Sequence, residues 1–300
     1  MIELLYIASP SYSGSTLLTL LLNAHPSIAT VGELKWGNID LENYECSCGS
    51  LLRECTFWEN VVARMEAEGL HFSLQRPATA FRHASRPWLD RVARSRVRGR
   101  LYESARSLAL ASSPTARQSW SYIQRVNRAA IEIILDLQGG RIFLDGSKDP
   151  VRLQYLLESG DYDVRIIQLV RDGRGVVYSA IKNAGDVAET AALEWRRTHE
   201  QIERLARRLG DGRFFRMRYE DLCSEPDATM DRVCAFLGIE TQQLTKSCWT
   251  AEHHVLGNRM RLRRDLEIKL NEAWRDALDS QALDAVERIG GPLNRRYGYV

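Results

Sequence analysis

Leu4-Leu5-Tyr6-Ile7-Ala8-Ser9-Pro10-Ser11-Tyr12-Ser13-Gly14-Ser15-Thr16-Leu17-Leu18-Thr19-Leu20-Leu21-Leu22 is the stretch on which the reading of this chain turns. Its first five residues form an apolar run, which fits a strand buried on both faces of a parallel sheet. Small polar residues follow as a tight loop. Residues 17–24 then read as a buried helix, and His25-Pro26 ends it. Strand, loop and helix in this order are the opening unit of a doubly wound α/β fold. Within the loop, Gly14 lets the backbone approach an anion, and Ser15 and Thr16 offer hydroxyl donors. The helix start adds free N–H groups and a positive dipole end. A phosphate or sulfate is the natural guest, although the same residues would serve as a plain helix cap. The loop is not G-x-x-x-x-G-K-[ST]: the first glycine and the lysine are missing, which disfavours an ordinary ATPase.

The same alternation resumes later in the chain. Residues 142–145 read as a strand, followed by Gly146-Ser147-Lys148-Asp149-Pro150 and a helix through Leu157. Residues 164–170 are the strongest strand, with a turn at 171–175 and a helix from 176 to 182. A helix over 189–209, a strand over 214–219 and a helix over 227–237 stopped by Gly238 come next. Residues 28–31 are a further short strand, and a helix near 282–289 closes the chain. Between these parts lies a polar, mostly helical segment. It carries one helix over 56–68 and a long amphipathic helix over 118–137, stopped by Gly139-Gly140. The expectation is one domain over residues 1–300. Its core, 1–45 and 141–300, is a parallel sheet flanked by helices, and residues 46–140 are a helical insertion over it. In such sheets ligands bind beyond the carboxyl ends of the strands.

Composition sets bounds on function. The chain has 300 residues, 44% hydrophobic and 27% charged, with a formal net charge of +2. That charge is too small to argue for a nucleic-acid partner. No apolar run approaches the roughly 20 residues that span a bilayer, and the start lacks the pattern of a signal peptide. A soluble, cytoplasmic protein without a transmembrane segment is expected. Cys46, Cys48 and Cys55 are closely spaced, but no fourth metal ligand is in sequence reach, so zinc, a disulfide and free thiols all stay open. The stretch 82–106 carries Arg82, Arg86, Arg91, Arg94, Arg96, Arg98, Arg100 and Arg106. It reads either as a solvated helical face or as a cap that attracts an acidic acceptor.

A second anion element follows the strongest strand: Ile166-Ile167-Gln168-Leu169-Val170-Arg171-Asp172-Gly173-Arg174-Gly175-Val176-Val177-Tyr178-Ser179. The strand delivers Arg171, a forked and permanent cation, to the sheet edge. Ser179 follows about two helical turns later as a further donor. This stretch resembles the 3′-phosphate motif of the sulfotransferases that use 3′-phosphoadenosine 5′-phosphosulfate (PAPS). In Arg171-Asp172-Gly173-Arg174 and the serine spacing it is closest to the tyrosylprotein sulfotransferases. The loop Ser13-Gly14-Ser15-Thr16 resembles that family's 5′-phosphosulfate loop, and Ser147-Lys148-Asp149-Pro150 its Lys-Asp-Pro. Arg218-Tyr219-Glu220-Asp221-Leu222 and Ala235-Phe236-Leu237-Gly238 look like its late strand and helix. Gly257-Asn258-Arg259-Met260-Arg261 looks like the basic loop that covers PAPS.

The resemblance implies a sulfotransferase core like that of P-loop kinases, with adenosine 3′,5′-bisphosphate as the product nucleotide and no metal requirement. It places Tyr12, Ser13, Gly14, Ser15, Thr16, Arg171, Ser179, Tyr219, Gly257, Asn258, Arg259 and Arg261 on the nucleotide. Glu33, after the His25-Pro26 turn, is the implied general base for a hydroxyl acceptor, with a salt bridge to Lys35 as the plainer alternative. Lys148 is the implied stabiliser of charge on the sulfuryl group. Tyr12 stands where the family carries lysine or arginine, and a phenol donates a hydrogen bond without a positive charge. His253 and His254, beside the tail loop, are candidate donors to the sulfuryl group. The acceptor is a glycan, lipid, small molecule or tyrosine peptide. A nucleotide-dependent kinase and a non-catalytic nucleotide-binding protein are the competing readings.

Overall fold

Leu4, Tyr6 and Ala8 point to one side of the first strand and Leu5 and Ile7 to the other, and all five are buried. The computed structural model describes residues 1–81, 87–248, 251–263 and 267–300. In it, this strand, β1 (Ile2–Ala8), is the centre of a five-stranded sheet in the order β2-β3-β1-β4-β5, with every pairing parallel. The other strands are β2 (Ile28–Thr30), β3 (Ile142–Lys148), β4 (Tyr162–Val170) and β5 (Phe214–Arg218).

The helices before β3 are α1 (Ser15–Asn23), α2 (Thr56–Ala67), α3 (Pro87–Ala93), α4 (Arg100–Ser112) and α5 (Pro114–Gln138). Those after it are α6 (Pro150–Ser159), α7 (Gly173–Ala184), α8 (Ala188–Ala206), α9 (Tyr219–Ser224), α10 (Pro226–Leu237), α11 (Leu244–Ser247), α12 (Trp274–Ala277) and α13 (Ser280–Arg296). Leu17, Leu18, Leu21 and Leu22 of α1 and Met230 and Val233 of α10 cover one face of the sheet. Trp58 and Met65 of α2, Val126 and Ile134 of α5, and Leu153 of α6 cover the other.

The expected α/β architecture is therefore present, and the segment 46–140 shares one continuous apolar core with the sheet. The long helix starts at Pro114, earlier than its apolar spacing suggested. Ser113 caps it by accepting from the Ala116 N–H, and proline fits the first helical turn, where no N–H partner is needed. The arginine-rich segment is not a uniform solvated face. Arg106 is buried in an ion pair with Glu103 and donates to Gln154 Oε1 at 2.9 Å. Arg94 pairs with Asp90 and Arg96 with Glu194, while Arg98 lies 4.5 Å over the Tyr102 ring. Arg82 and Arg86 lie outside the described residues.

Strand order positions the site. The chain leaves β1 towards β2 on one side of the sheet and leaves β4 towards β5 on the other. The connections from these two neighbours diverge, and the gap at their carboxyl ends is where a ligand enters a doubly wound sheet. Tyr12 to Thr16 follow β1 and Arg171 follows β4, so both anion elements border that gap.

Candidate functional site

Gly14 caps α1 in the left-handed conformation, with φ 89°. A Cβ at this position would stand 2.4 Å from Cδ2 of Tyr219, so the close approach of that ring also requires glycine. Tyr219 opens α9 directly after β5. Arg171, directly after β4, donates from Nη1 to the Tyr12 carbonyl at 2.7 Å, with Ser179 Oγ at 3.4 Å. Its Nη2 donates to the Asn271 carbonyl at 3.0 Å, and the guanidinium lies 4.6 Å over the Tyr219 ring. Ser179, on α7, donates to the Gly175 carbonyl at 2.9 Å. Burial pushes the Tyr219 phenol well up, with Cys223 beside it adding to the effect. Loops after three different strands thus meet at one point, and the tail at Lys269 and Asn271 closes over them.

Two observations bear on whether this cluster suits a doubly phosphorylated nucleotide. Ser9 Oγ and Ser13 Oγ are buried with no hydrogen-bond partner, a state that proteins seldom leave unanswered. The first-turn N–H groups of α1 have no intrahelical acceptor. An anion at the mouth of α1 meets both needs. At the other end, the Arg171 donors rest on neutral backbone carbonyls, weaker partners than a phosphate oxygen. The residues present fit the nucleotide.

Glu33 lies just beyond β2 and Lys148 ends β3. Lys148 Nζ donates to Glu33 Oε1 at 2.6 Å, both side chains being partly buried. The pairing weighed for Glu33 goes elsewhere: Lys35 pairs with Asp149. Among the described residues, Tyr12 and Lys148 are the two non-glycines with positive φ, each at 65°. Such a conformation costs about 1–3 kcal/mol and gathers at functional sites. Tyr12, Glu33, Lys148 and Asn258 line one cavity of about 590 Å³. Val176, Ala180, Asp186, Ala191, Glu194 and Trp195 line it as well. Nothing in the sequence marked the contributions of α8, because that helix carries no loop signature. Tyr12 packs on the apolar clusters of Val176, Val177 and Trp195.

The tail residues divide in their placement. Gly257, with φ 119°, lies against Glu33, where a Cβ would be 2.8 Å from Oε1. Arg259 is exposed. Arg261 is buried over the Tyr44 ring and donates to the carbonyls of Gly257 and Glu45, both at 2.7 Å, which braces the loop. Neither His253 nor His254 lines the cavity. His253 bonds to Asn23 and to the Cys248 carbonyl, and His254 is buried beside Cys46 and Cys55.

Residues 5–243 match the family model described as the sulfotransferase family. Among solved structures, the sulfotransferase domain of the Synechococcus PCC 7002 olefin synthase superposes with a TM-score of 0.52 at 20% identity, covering 100% of this chain and 95% of that one. The sulfotransferase domain from the curacin biosynthetic pathway gives 0.53 at 17%, covering 100% and 99%. Sulfotransferase STF1 from Mycobacterium tuberculosis gives 0.50 at 16%, covering 97% and 77%. A search of curated proteins finds no match. Among the described residues no helix is long and apolar enough to cross a membrane.

Proposed function

The chain belongs to the sulfotransferase family and is an enzyme that takes a sulfuryl group from PAPS; we propose that it delivers this group to a hydroxyl acceptor held in the cavity beside Glu33 and Lys148. The observation that carries this reading is the Lys148–Glu33 pair, which borders both the anion cluster and a cavity large enough for an acceptor.

The nucleotide end is assigned as follows. The amides and hydroxyls of Ser13 to Thr16 hold the 5′-phosphosulfate, and Arg171 with Ser179 holds the 3′-phosphate. Tyr219 lies against Gly14 of the phosphosulfate loop and under the Arg171 guanidinium, and Asn258 and Arg259 belong to the covering loop. Transfer breaks the bond between sulfur and the 5′-phosphate oxygen and forms one to the acceptor oxygen. The acceptor proton goes to Glu33, and adenosine 3′,5′-bisphosphate leaves. In the Lys148–Glu33 pair, the ammonium holds the carboxylate in place and balances its charge. When negative oxygens arrive nearby, the ammonium turns to them and the carboxylate is freed to take a proton. Tyr12 supplies a hydrogen bond where the family carries a cation, so Lys148 and the basic tail loop carry that charge.

A cavity of about 590 Å³ is in the range that encloses a small molecule, so the acceptor is a small molecule or a single side chain presented by a peptide. The kinase alternative is disfavoured by the missing loop lysine. Incubation with labelled PAPS and a metabolite extract tests the assignment. Glu33→Gln is expected to retain affinity for adenosine 3′,5′-bisphosphate and to lose about a hundred- to ten-thousandfold in turnover. Unchanged turnover would remove Glu33 from the mechanism.

A further inference from the structure

Cys46, Cys48 and Cys55 gain a fourth neighbour in the fold. His254, 199 residues beyond Cys55, brings its Nδ1 to 3.3 Å from Cys55 Sγ and 3.8 Å from Cys46 Sγ, and Cys48 Sγ is 3.7 Å from Cys55 Sγ. All four atoms lie within 4.8 Å of one another. We infer that these residues form a structural zinc site that pins the tail loop to the start of the helical insertion.

Tetrahedral geometry carries the argument. With zinc about 2.3 Å from sulfur and about 2.0 Å from nitrogen, the edges of the tetrahedron are about 3.8 Å between sulfurs and about 3.5 Å from sulfur to nitrogen. The three separations just given already match those edges. Three soft sulfur donors and one imidazole are a donor set suited to zinc, and four protein ligands leave no open position, which makes the site structural instead of catalytic. The histidine is prepared for the role. Its Nε2 faces Glu252 Oε1 at 3.1 Å, so the N–H sits there and the Nδ1 lone pair is left facing the sulfurs. Phe57 stacks on the ring at 4.3 Å between centroids and 5° between planes, fixing its orientation. Cys46, Cys55 and His254 are buried, so water competes poorly for the ion.

Backbone hydrogen bonds shape the segments that carry the ligands. Cys46 and Cys48 sit in a tight turn in which the Cys46 N–H donates to the Ser50 carbonyl and Gly49, with φ 100°, donates to the Cys46 carbonyl. Cys55 is the N-cap of α2. The Val255 N–H donates to Ser47 Oγ at 2.7 Å, joining the two segments beside the ligands. The next residue reaches the catalytic end: the Leu256 N–H donates to the Val31 carbonyl at 2.8 Å, and Gly257 lies on Glu33. A metal here would hold the loop that carries Gly257 and Asn258 against the wall behind Glu33.

The test does not depend on sulfuryl transfer. Full-length protein, freed of any histidine tag and never exposed to chelator, is assayed for metals by inductively coupled plasma mass spectrometry. One zinc per chain is expected. His254→Ala and Cys48→Ser should lose it, His254→Cys should keep it, and Cys234→Ser, a buried cysteine elsewhere, should keep it as well. Cobalt substituted for zinc should give the intense visible bands of a tetrahedral thiolate site. No zinc above background in the unaltered protein, a disulfide consuming two of the three thiols, or zinc retained by His254→Ala would each overturn the assignment. Metal content in the unaltered chain decides the matter even where a variant fails to fold.

Discussion

Arg171 illustrates how much one side chain is asked to do. Its guanidinium touches the first loop through the Tyr12 carbonyl, the α7 serine, the Tyr219 ring and the tail at Asn271. A charged hydrogen bond is worth roughly 1.5–3 kcal/mol, so Arg171→Ala should weaken adenosine 3′,5′-bisphosphate roughly 10- to 150-fold by calorimetry. Arg171→Lys should recover only part of this, because an ammonium cannot fork. Lys148→Met should lower turnover far more than affinity for adenosine 3′,5′-bisphosphate, since its ammonium pairs with Glu33 and that nucleotide carries no sulfuryl group. A Lys148→Met enzyme with unchanged turnover would assign the charge-balancing role elsewhere. Gly257→Ala should lower turnover too, because the added methyl meets the Glu33 carboxylate in a backbone conformation that already disfavours it.

At the scale of elements, the strand-end loops were legible because each signal is local. The strand, the glycine turn and the serine two turns on lie within fourteen consecutive residues, 166–179, and their periodicities announce them. Glu33 and Lys148 were legible separately, each as a residue after a strand. Their mutual ion pair was not, because it depends on β2 and β3 being neighbours. The approach of His254 to Cys46 and Cys55 was hidden for the same reason: its cysteine neighbours are about 200 residues away in sequence. The burial of Arg106 was hidden because an arginine-rich helix reads as solvated unless the acid and amide that enclose it, Glu103 and Gln154, are known to meet it.

Two further predictions belong to this scale. Gly14→Ala places a left-handed alanine under the Tyr219 ring and should destabilise the protein by at least about 1–2 kcal/mol in a denaturant titration, and weaken the nucleotide as well. On α8, His199 is wholly buried against Trp195 and Tyr297, accepts from Gln168 Nε2, and has Arg216 and Arg296 nearby. Burial, reinforced by those two cations, lowers its pKa from 6.5 to about 3. The unfolded chain therefore binds a proton that the folded one refuses. Stability is complete above about pH 6.5 and falls as the pH drops towards about 3, at about 1.4 kcal/mol per unit. His199→Gln should flatten that part of the pH profile of unfolding; an unchanged slope would mean that the acid sensitivity originates elsewhere.

For the whole molecule, a parallel sheet whose connections diverge between β1 and β4 turns two distant stretches of sequence into one receptor. Residues of α7 and α8, with Asn258 of the tail, line the cavity beside it. Affinity measured by isothermal titration tests this most directly, with adenosine 3′,5′-bisphosphate and its analogue lacking the 3′-phosphate each titrated into the unaltered enzyme and into Arg171→Ala. If Arg171 grips the 3′ end while Gly14 and its neighbours grip the 5′ end, Arg171→Ala weakens the bisphosphate strongly and the analogue lacking the 3′-phosphate little, so the two losses do not add. Equal weakening of both ligands by Arg171→Ala, or of neither, would contradict the two-ended grip.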